Sequence, residues 1–448
     1  MNRRDFLIKS GAAFFASSQL GAEMKPDRVV HHPSKAKNII FLHMIGGPSQ
    51  IDLFDHKPML KKYAGKSLPE SVIKDQKFAF VEPTSAALPP VWDFRQCGQN
   101  GSWISNALPH FQKVVDEVAV VRSMHTDEFN HGAAELFMHT GFGRLGRPSL
   151  GAWINYALGS ENNNLPPYVV LGSGSGAASG NNTWGTGFLP GKFQGVKFRS
   201  GNSPVLYLDN PQTMHEDERA TMISAVTDLN SLQFQESGNN EVLTRNAQLR
   251  MAHRMQTSIP DTLDIEGEPE YIKEMYGIKN SKPSFARNCI LARRLVEKGV
   301  RFIQLMDGGW DHHGNIKKSL KSKCNHIDQS MSALILDLKQ RGLLDETLIV
   351  WGGEFGRTPM TQGSSGRDHH NSAFTMWMAG GGIKPGVNHG ITDDFGFAPV
   401  EKGVHVHDLH ATIMHLMGID HTRLTYRYQG RDFRLTDVHG KIVKDLLS

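Results

Sequence analysis

The chain has 448 residues, 39% of them hydrophobic and 21% charged, with 45 glycines and 21 prolines. That is enough chain for a large core, and the balance is ordinary for a globular protein, which excludes long disorder and low-complexity organisation. The formal charge of +4 falls to +2 when Arg3, Arg4, Asp5 and Lys9 are set aside; with no basic stripe interleaved with aromatics, a nucleic-acid partner is not expected.

At the N-terminus, Arg3 and Arg4 precede a short, mild apolar run from Ser10 to Ser18, with small residues around Gly21 and Ala22. This pattern resembles a twin-arginine export signal over residues 1–22. The run is shorter than the ~20 apolar residues that span a bilayer, and no later segment reaches that length, so a soluble protein exported to the periplasm or beyond is expected. Twin-arginine export carries folded proteins, so metal can be loaded before crossing. Cys97, Cys289 and Cys324 form an odd set without Cys-x-x-Cys spacing, which leaves room for at most one bridge and suggests no Cys-type zinc site.

Short apolar runs predict strands at Lys37–Ile45, Val118–Ser123, Tyr168–Leu171, Val300–Leu305, Leu348–Trp351 and Phe374–Met378. Apolar residues at spacings of three and four predict helices at Phe285–Lys298, stopped by Gly299, and at Ile327–Arg341, closed by Gly342. Residues Gly172 to Ser203, rich in Gly, Ser and Asn, are expected to be loops over the carboxyl edge of a sheet, and polar linkers follow to Pro269. Strand alternating with helix predicts an α/β fold: a mostly parallel sheet with helices on both faces and loop insertions. The expected organisation is one domain over residues 36–448 with an insertion near 172–270.

In such sheets ligands gather beyond the carboxyl ends of the strands. Here those ends carry Ser49, Asp52 and Asp55; His125, Asp127, Asn130 and His131; Asp307, Asp311, His312 and His313; and Glu354 with Arg357, followed by Asp368, His369 and His370. A single loop histidine is more often a hydrogen-bonded structural residue than a ligand. Several strand ends supplying acid or imidazole together argue for one shared metal or anion site.

Asp311 and His313 share a face of an extended segment and can clasp one ion, with His312 turned away. The same alternation pairs Asp368 with His370 as the first choice and leaves His369 in reserve. Glu354 is read as a metal ligand that bridges ions or binds a second one, or as a salt-bridge partner of Arg357. Arg357 is read as a guanidinium clamp on a substrate oxyanion or as a turn cap, and Gly46-Gly47-Pro48-Ser49 as a backbone nest for the same anion. These ligand types leave Zn, Mn, Ca and Mg open.

The segments from Gly46 to Pro58, Asn130 to Gly141, Trp310 to His313, Gly352 to Pro359 and Gly366 to His370 together resemble a large exported family of unassigned function in the sulfatase-like branch of the alkaline phosphatase superfamily. The resemblance implies that fold and metal-dependent chemistry on sulfate or phosphate esters. The superfamily strand that ends in Asp-His-Gly is matched by Thr347 to Gly356 with Glu354 for the acid and Phe355 for the imidazole, so one ligand is missing. His369 or His370, the strand from Phe374 and the Gly380 to Gly386 turn are similar to the next superfamily segment, and Val406 to Ile419 to the helix after it.

Counting nine residues back from Thr140-Gly141, where sulfatases carry Cys or Ser, reaches His131, which argues against a formylglycine sulfatase. The attacking group is then water activated by metal, His131, or a hydroxyl such as Thr126 or Ser49, and water asks least of the sequence. Two readings follow. The first is an exported metal-dependent hydrolase of small-molecule or saccharide sulfate or phosphate esters. The second is a catalytically inactive binding or cell-surface scaffold of the same fold.

Overall fold

The computed structural model describes residues 28–448 except 75, 77, 200–214 and 281, and leaves aside the side chains of 216, 240 and 256–261. The expected export signal at 1–22 lies outside the described residues. In chain order the elements used below are β1 (Asn38–Ile45), β2 (Val118–His125), α1 (His131–Thr140), α2 (Leu150–Leu158), β3 (Tyr168–Ser173), β4 (Val196–Lys197), α3 (Glu216–Ser237), α4 (Asn240–Leu263), α5 (Phe285–Glu297), β5 (Phe302–Gly308), α6 (Ile316–Gln340) and β6 (Thr347–Gly352). Then come β7 (Gly356–Gln362), β8 (Gly366–His370), β9 (Phe374–Ala379), β10 (Asn388–His389), β11 (Val404–His405) and α7 (Val406–Leu416).

Among the described residues one sheet runs in the order β10-β2-β9-β6-β1-β5-β3-β4, with β11 also paired to β2. β1 lies parallel to both β5 and β6, β3 parallel to β5 and β4, and β9 alone runs antiparallel to its neighbours β2 and β6. The fold is therefore α/β with a mostly parallel central sheet.

β1 shows why its sequence is an unbroken apolar run: every residue is buried. Ile40, Leu42 and Met44 face a core shared with α5 and α6, while Ile39, Phe41 and Ile45 face the opposite core under α1, α2 and α7. A strand covered on both sides has no solvent face to fill with polar residues. α5 starts at Ser284, whose hydroxyl accepts from Arg287 N, and each fully buried Leu or Ile of the α5 and α6 faces contributes about 1.5–3 kcal/mol against exposure.

All six predicted strands are present, with β2, β3 and β5 extending further at their carboxyl ends. α6 begins eleven residues before the predicted start, at Ile316 rather than Ile327, because Lys317, Lys318, Lys321 and Lys323 thin the apolar pattern there. The stretch expected to be linkers forms α3 and α4 instead. Among the described side chains of α3 only Thr227 is buried, so no apolar stripe announces the helix. Polar contacts hold the pair: Asn246 Nδ2 donates to Thr227 O at 3.0 Å, and Asn230 Nδ2 to Asn246 Oδ1 at 2.7 Å. All three cysteines are buried and free, so the one bridge the odd set allowed does not form. Among the described residues no helix is long and apolar enough to cross a membrane.

β7 and β8 form a two-stranded antiparallel hairpin that springs from the end of β6. Its register pairs Gly366 with Gln362 and His369 with Arg357, with an irregularity between Arg367 and His369. That hairpin turns back over the carboxyl ends of β1 and β5.

Candidate metal centre

Two close approaches assemble the site. Gly46 follows β1 at φ +116°, and a Cβ there would lie 2.4 Å from Asp311 N, so only glycine lets the segment after β5 pass this near. Gly366 opens β8, where a Cβ would fall 1.9 Å from His313 O. These contacts bring Asp311 and His313, from the segment after β5, against His369 of the hairpin. His131, the first residue of α1, completes the group.

Ligand-type atoms of His131, Asp311, His313 and His369 all lie within 4.8 Å of one another. His313 Nε2 is 2.9 Å from Asp311 Oδ1, His369 Nε2 3.4 Å from the same oxygen, and His131 Nε2 3.3 Å from Asp311 Oδ2. The far nitrogen of each ring meets an oxygen. His369 Nδ1 donates to Phe129 O at 2.9 Å, His313 Nδ1 to Gln362 Oε1, and His131 Nδ1 to Glu354 Oε1 at 2.7 Å. These partners assign the proton to Nδ1 in each ring and leave each Nε2 lone pair turned inward.

The consequence is sharpest between His313 Nε2 and His369 Nε2, which face each other at 3.0 Å. With both protons on Nδ1, no hydrogen joins those two nitrogens, and two lone pairs beside a carboxylate fit a divalent cation. His131 Nε2 is buried and faces Asp311 Oδ2 at 3.3 Å, a position that fits the same ion.

Without an ion the charges settle otherwise. Burial pulls the His131 ring down, but its hydrogen bonds with Asp311 and Glu354 outweigh that and hold it up at about 9. Burial would raise the Asp311 carboxyl, yet bonds with His131, His369 and Arg357 keep it far below the usual carboxylate range. Its side chain remains 42% exposed, so the group opens to solvent.

The other expected site residues lie around the four rather than among them. Arg357 is fully buried, and its donors are taken up by Gly47 O at 3.0 Å, Arg367 O at 3.2 Å, Gly46 O and Asp311 Oδ1. It clamps the turn after β1 and orients Asp311, and it is not free to grip a substrate anion as expected. Glu354 is fully buried and accepts from Gly46 N at 2.9 Å and from His131, which makes it a support for His131 and not a salt-bridge partner of Arg357.

Asp368 accepts three backbone N–H groups, from Phe80 at 2.6 Å, Val81 at 2.9 Å and His369 at 2.8 Å. His370 Nε2 donates to Phe397 O at 2.5 Å. The pairing of Asp368 with His370 thus fails to reach the group, because β8 turns its opposite face, that of His369, toward Asp311. Ser49 donates to Asp52 Oδ2 at 2.6 Å, and Asp52 pairs with the buried Arg367 at 2.8 Å, so this hydroxyl supports an ion pair and stands outside the group. His131 was expected as a catalytic residue, not as a ligand. Gln362 and the Phe129 carbonyl were missed, and no sequence signal marks either one.

An α/β protein with an imidazole and carboxylate group at the carboxyl edge of its sheet is the class that this geometry defines. A family model described as "Protein of unknown function (DUF1501)" matches residues 36–447, and the chain belongs to that family. No curated protein matches it. Among solved structures, the chain is similar to Ps i-CgsB at 11% identity and a TM-score of 0.38, over 85% of this chain and 72% of that one. It is also similar to the alkaline phosphatase from the Antarctic bacterium TAB5 (11% identity, TM-score 0.34, 86% and 98% covered). The PsFucS1 sulfatase from Pseudoalteromonas sp. matches at 13% identity and a TM-score of 0.36, with 94% and 72% covered.

Proposed function

We propose that this protein is an exported, metal-dependent hydrolase of sulfate or phosphate esters, with a divalent cation held by Asp311, His313, His369 and His131. The observation that carries this reading is the pair of inward Nε2 lone pairs on His313 and His369, 3.0 Å apart, with both Nδ1 protons fixed on oxygen. A bound divalent cation supplies Lewis acidity toward an ester oxygen and lowers the pKa of water toward ~7.

The chain's own residues divide the remaining work. Asp311 is oriented by Arg357 and stays ionised, so the group keeps one negative ligand throughout. His131 stands between two carboxylates, Asp311 and Glu354, and can hold a proton on the Glu354 side while its Nε2 faces the group. Thr126 Oγ1, buried without a partner, lies on the same strand end that leads into α1.

The test is elemental analysis of the purified mature protein, joined to a screen of aryl sulfate and phosphate esters before and after chelation. Stoichiometric metal with chelator-sensitive turnover is the expected result. A metal-loaded protein inert toward every ester would favour the scaffold reading, and a metal-free, inert protein would remove the cation from the site as well.

A further inference from the structure

Beside the metal group lies a hollow of about 550 Å³, lined in part by Trp92, Asn315, Lys317, Lys318, Lys321 and Ser365. Its rim and the wall of the metal group are one piece of structure. Asn315 stands two residues after His313, Ser365 one residue before Gly366, and the two segments are tied by Asn315 N donating to Ser365 Oγ at 3.1 Å and Ile316 N to Ser365 O at 3.0 Å.

Leu88, Val91 and Ile316 complete a largely apolar lining, and the charge the hollow carries is of one sign. Lys317, Lys318 and Lys321 are exposed on the first turns of α6, and no ion pair or hydrogen bond joins their ammonium groups to any described residue. Lys317 and Lys321 stand four apart, the spacing at which like charges on a helix repel. Lys317 and Lys318 also sit in the first turn, where the helix dipole is positive and penalises cations further. The Lys317 and Lys321 Nζ atoms lie 5.9 and 5.7 Å from the Trp92 ring centroid, and Trp92 Nε1 is buried without a hydrogen-bond partner. The free protein therefore holds three lysines without an anionic partner around an aromatic ring with an unused donor.

We infer that this hollow is a binding subsite for a polyanionic saccharide, which seats one ring against Trp92 and its sulfate or carboxylate groups among the three lysines while an ester reaches the metal group. This deepens the hydrolase reading and rests on it for the ester alone. The charge density favours a saccharide over single-stranded nucleic acid. Three cations within two helical turns match several anionic groups on one or two sugar rings, whereas a nucleic acid carries one phosphate per nucleotide and is tracked by a longer basic groove.

The experiment is calorimetric titration of the full-length protein with dextran sulfate oligosaccharide, unsulfated dextran of equal length and oligothymidine of equal charge. Dextran sulfate is expected to bind in a salt-sensitive manner, and K317E/K321E to weaken it at least about tenfold. W92A is expected to weaken it by about tenfold, with W92F as the milder variant where W92A lowers the melting temperature. K441E, at an exposed lysine of the C-terminal segment, should leave affinity unchanged.

D311N should retain the affinity while losing turnover; a wild-type protein that binds dextran sulfate but hydrolyses no ester would defeat the hydrolase reading while the subsite stands. Equal binding of sulfated and unsulfated dextran, or an unchanged affinity in K317E/K321E, would overturn the subsite. Tighter binding of oligothymidine with the same lysine dependence would overturn the saccharide and assign a nucleic acid.

Discussion

His369 and His410 are both buried imidazoles with one ring nitrogen on a backbone carbonyl, and they differ in what the other nitrogen meets. His369 Nε2 faces His313 and the partly exposed Asp311 carboxylate, whereas His410 donates from Nε2 to Met138 O at 2.7 Å and leaves Nδ1 buried and without a hydrogen bond. Around His410, His139 and His43 extend a buried row toward the core-facing side of Glu354. The His43 and His139 rings pack edge to face at 4.4 Å, and neither His43 nitrogen makes a hydrogen bond, Nε2 lying 3.6 Å from Glu354 Oε2. Burial pushes His43 down to about 4 and His410 to about 3. The two regions share a residue type and separate on one criterion: a carboxylate on which several lone pairs converge and to which water has access.

The comparison can be broken most forcefully at its carboxylate. Asp311→Asn should abolish metal content and turnover together, read by elemental analysis; wild-type metal in that variant would remove Asp311 from the group. Next in size is Gly46→Ala, whose methyl would meet Asp311 N at 2.4 Å. It should cost on the order of 1–3 kcal/mol, seen as a lowered melting temperature, and should lose metal as well. If metal occupancy survives, the approach of β1 to the Asp311 segment does not assemble the site.

Gln362→Ala frees the His313 Nδ1 proton from its acceptor without touching a ligand, and metal affinity should fall about 10–100-fold. Competition against a chelator dye measures it, and an unchanged affinity would deny the hairpin its orienting part.

Acidity sharpens the contrast because the two regions titrate with opposite sign. His43 and His410 have folded pKa values depressed below the ordinary 6.5, so their contribution is present above pH 6.5 and is lost as pH falls from there to about 4 for His43 and about 3 for His410. His131 in the metal-free protein is raised to about 9, so its contribution is full below 6.5 and is lost as pH rises through 9. Melting curves with and without chelator should share the acid limb and differ in the alkaline one, and identical alkaline limbs would count against Nε2 of His131 facing the ion. The smallest effect belongs to His410→Gln, which should shift the melting temperature by a few degrees and leave metal content untouched.

The sheet was legible because its strands are buried on both faces and read as apolar runs. α3 and α4 were not, since their register is held by Asn and Thr contacts that leave no stripe. Asp311 and His313 could be paired from alternation alone, as their spacing sets them on one side of an extended segment. The same rule applied to β8 selected the wrong face. Alternation says which side chains travel together and is silent on which side meets the partner segment, and here the turn of the hairpin decides it. Arg357 illustrates a second limit, because a guanidinium after a strand end reads alike whether it awaits a ligand or already holds two glycine carbonyls.

The three cysteines carry one more consequence. Each is buried and free, and burial raises the Cys289 and Cys324 thiols above their ordinary range, which keeps thiolate, the reactive form, scarce. Nothing in the described fold depends on a disulfide, so the same native state is reached in reducing and oxidising surroundings, and a thiol-free phosphine reductant should leave the melting temperature where it was.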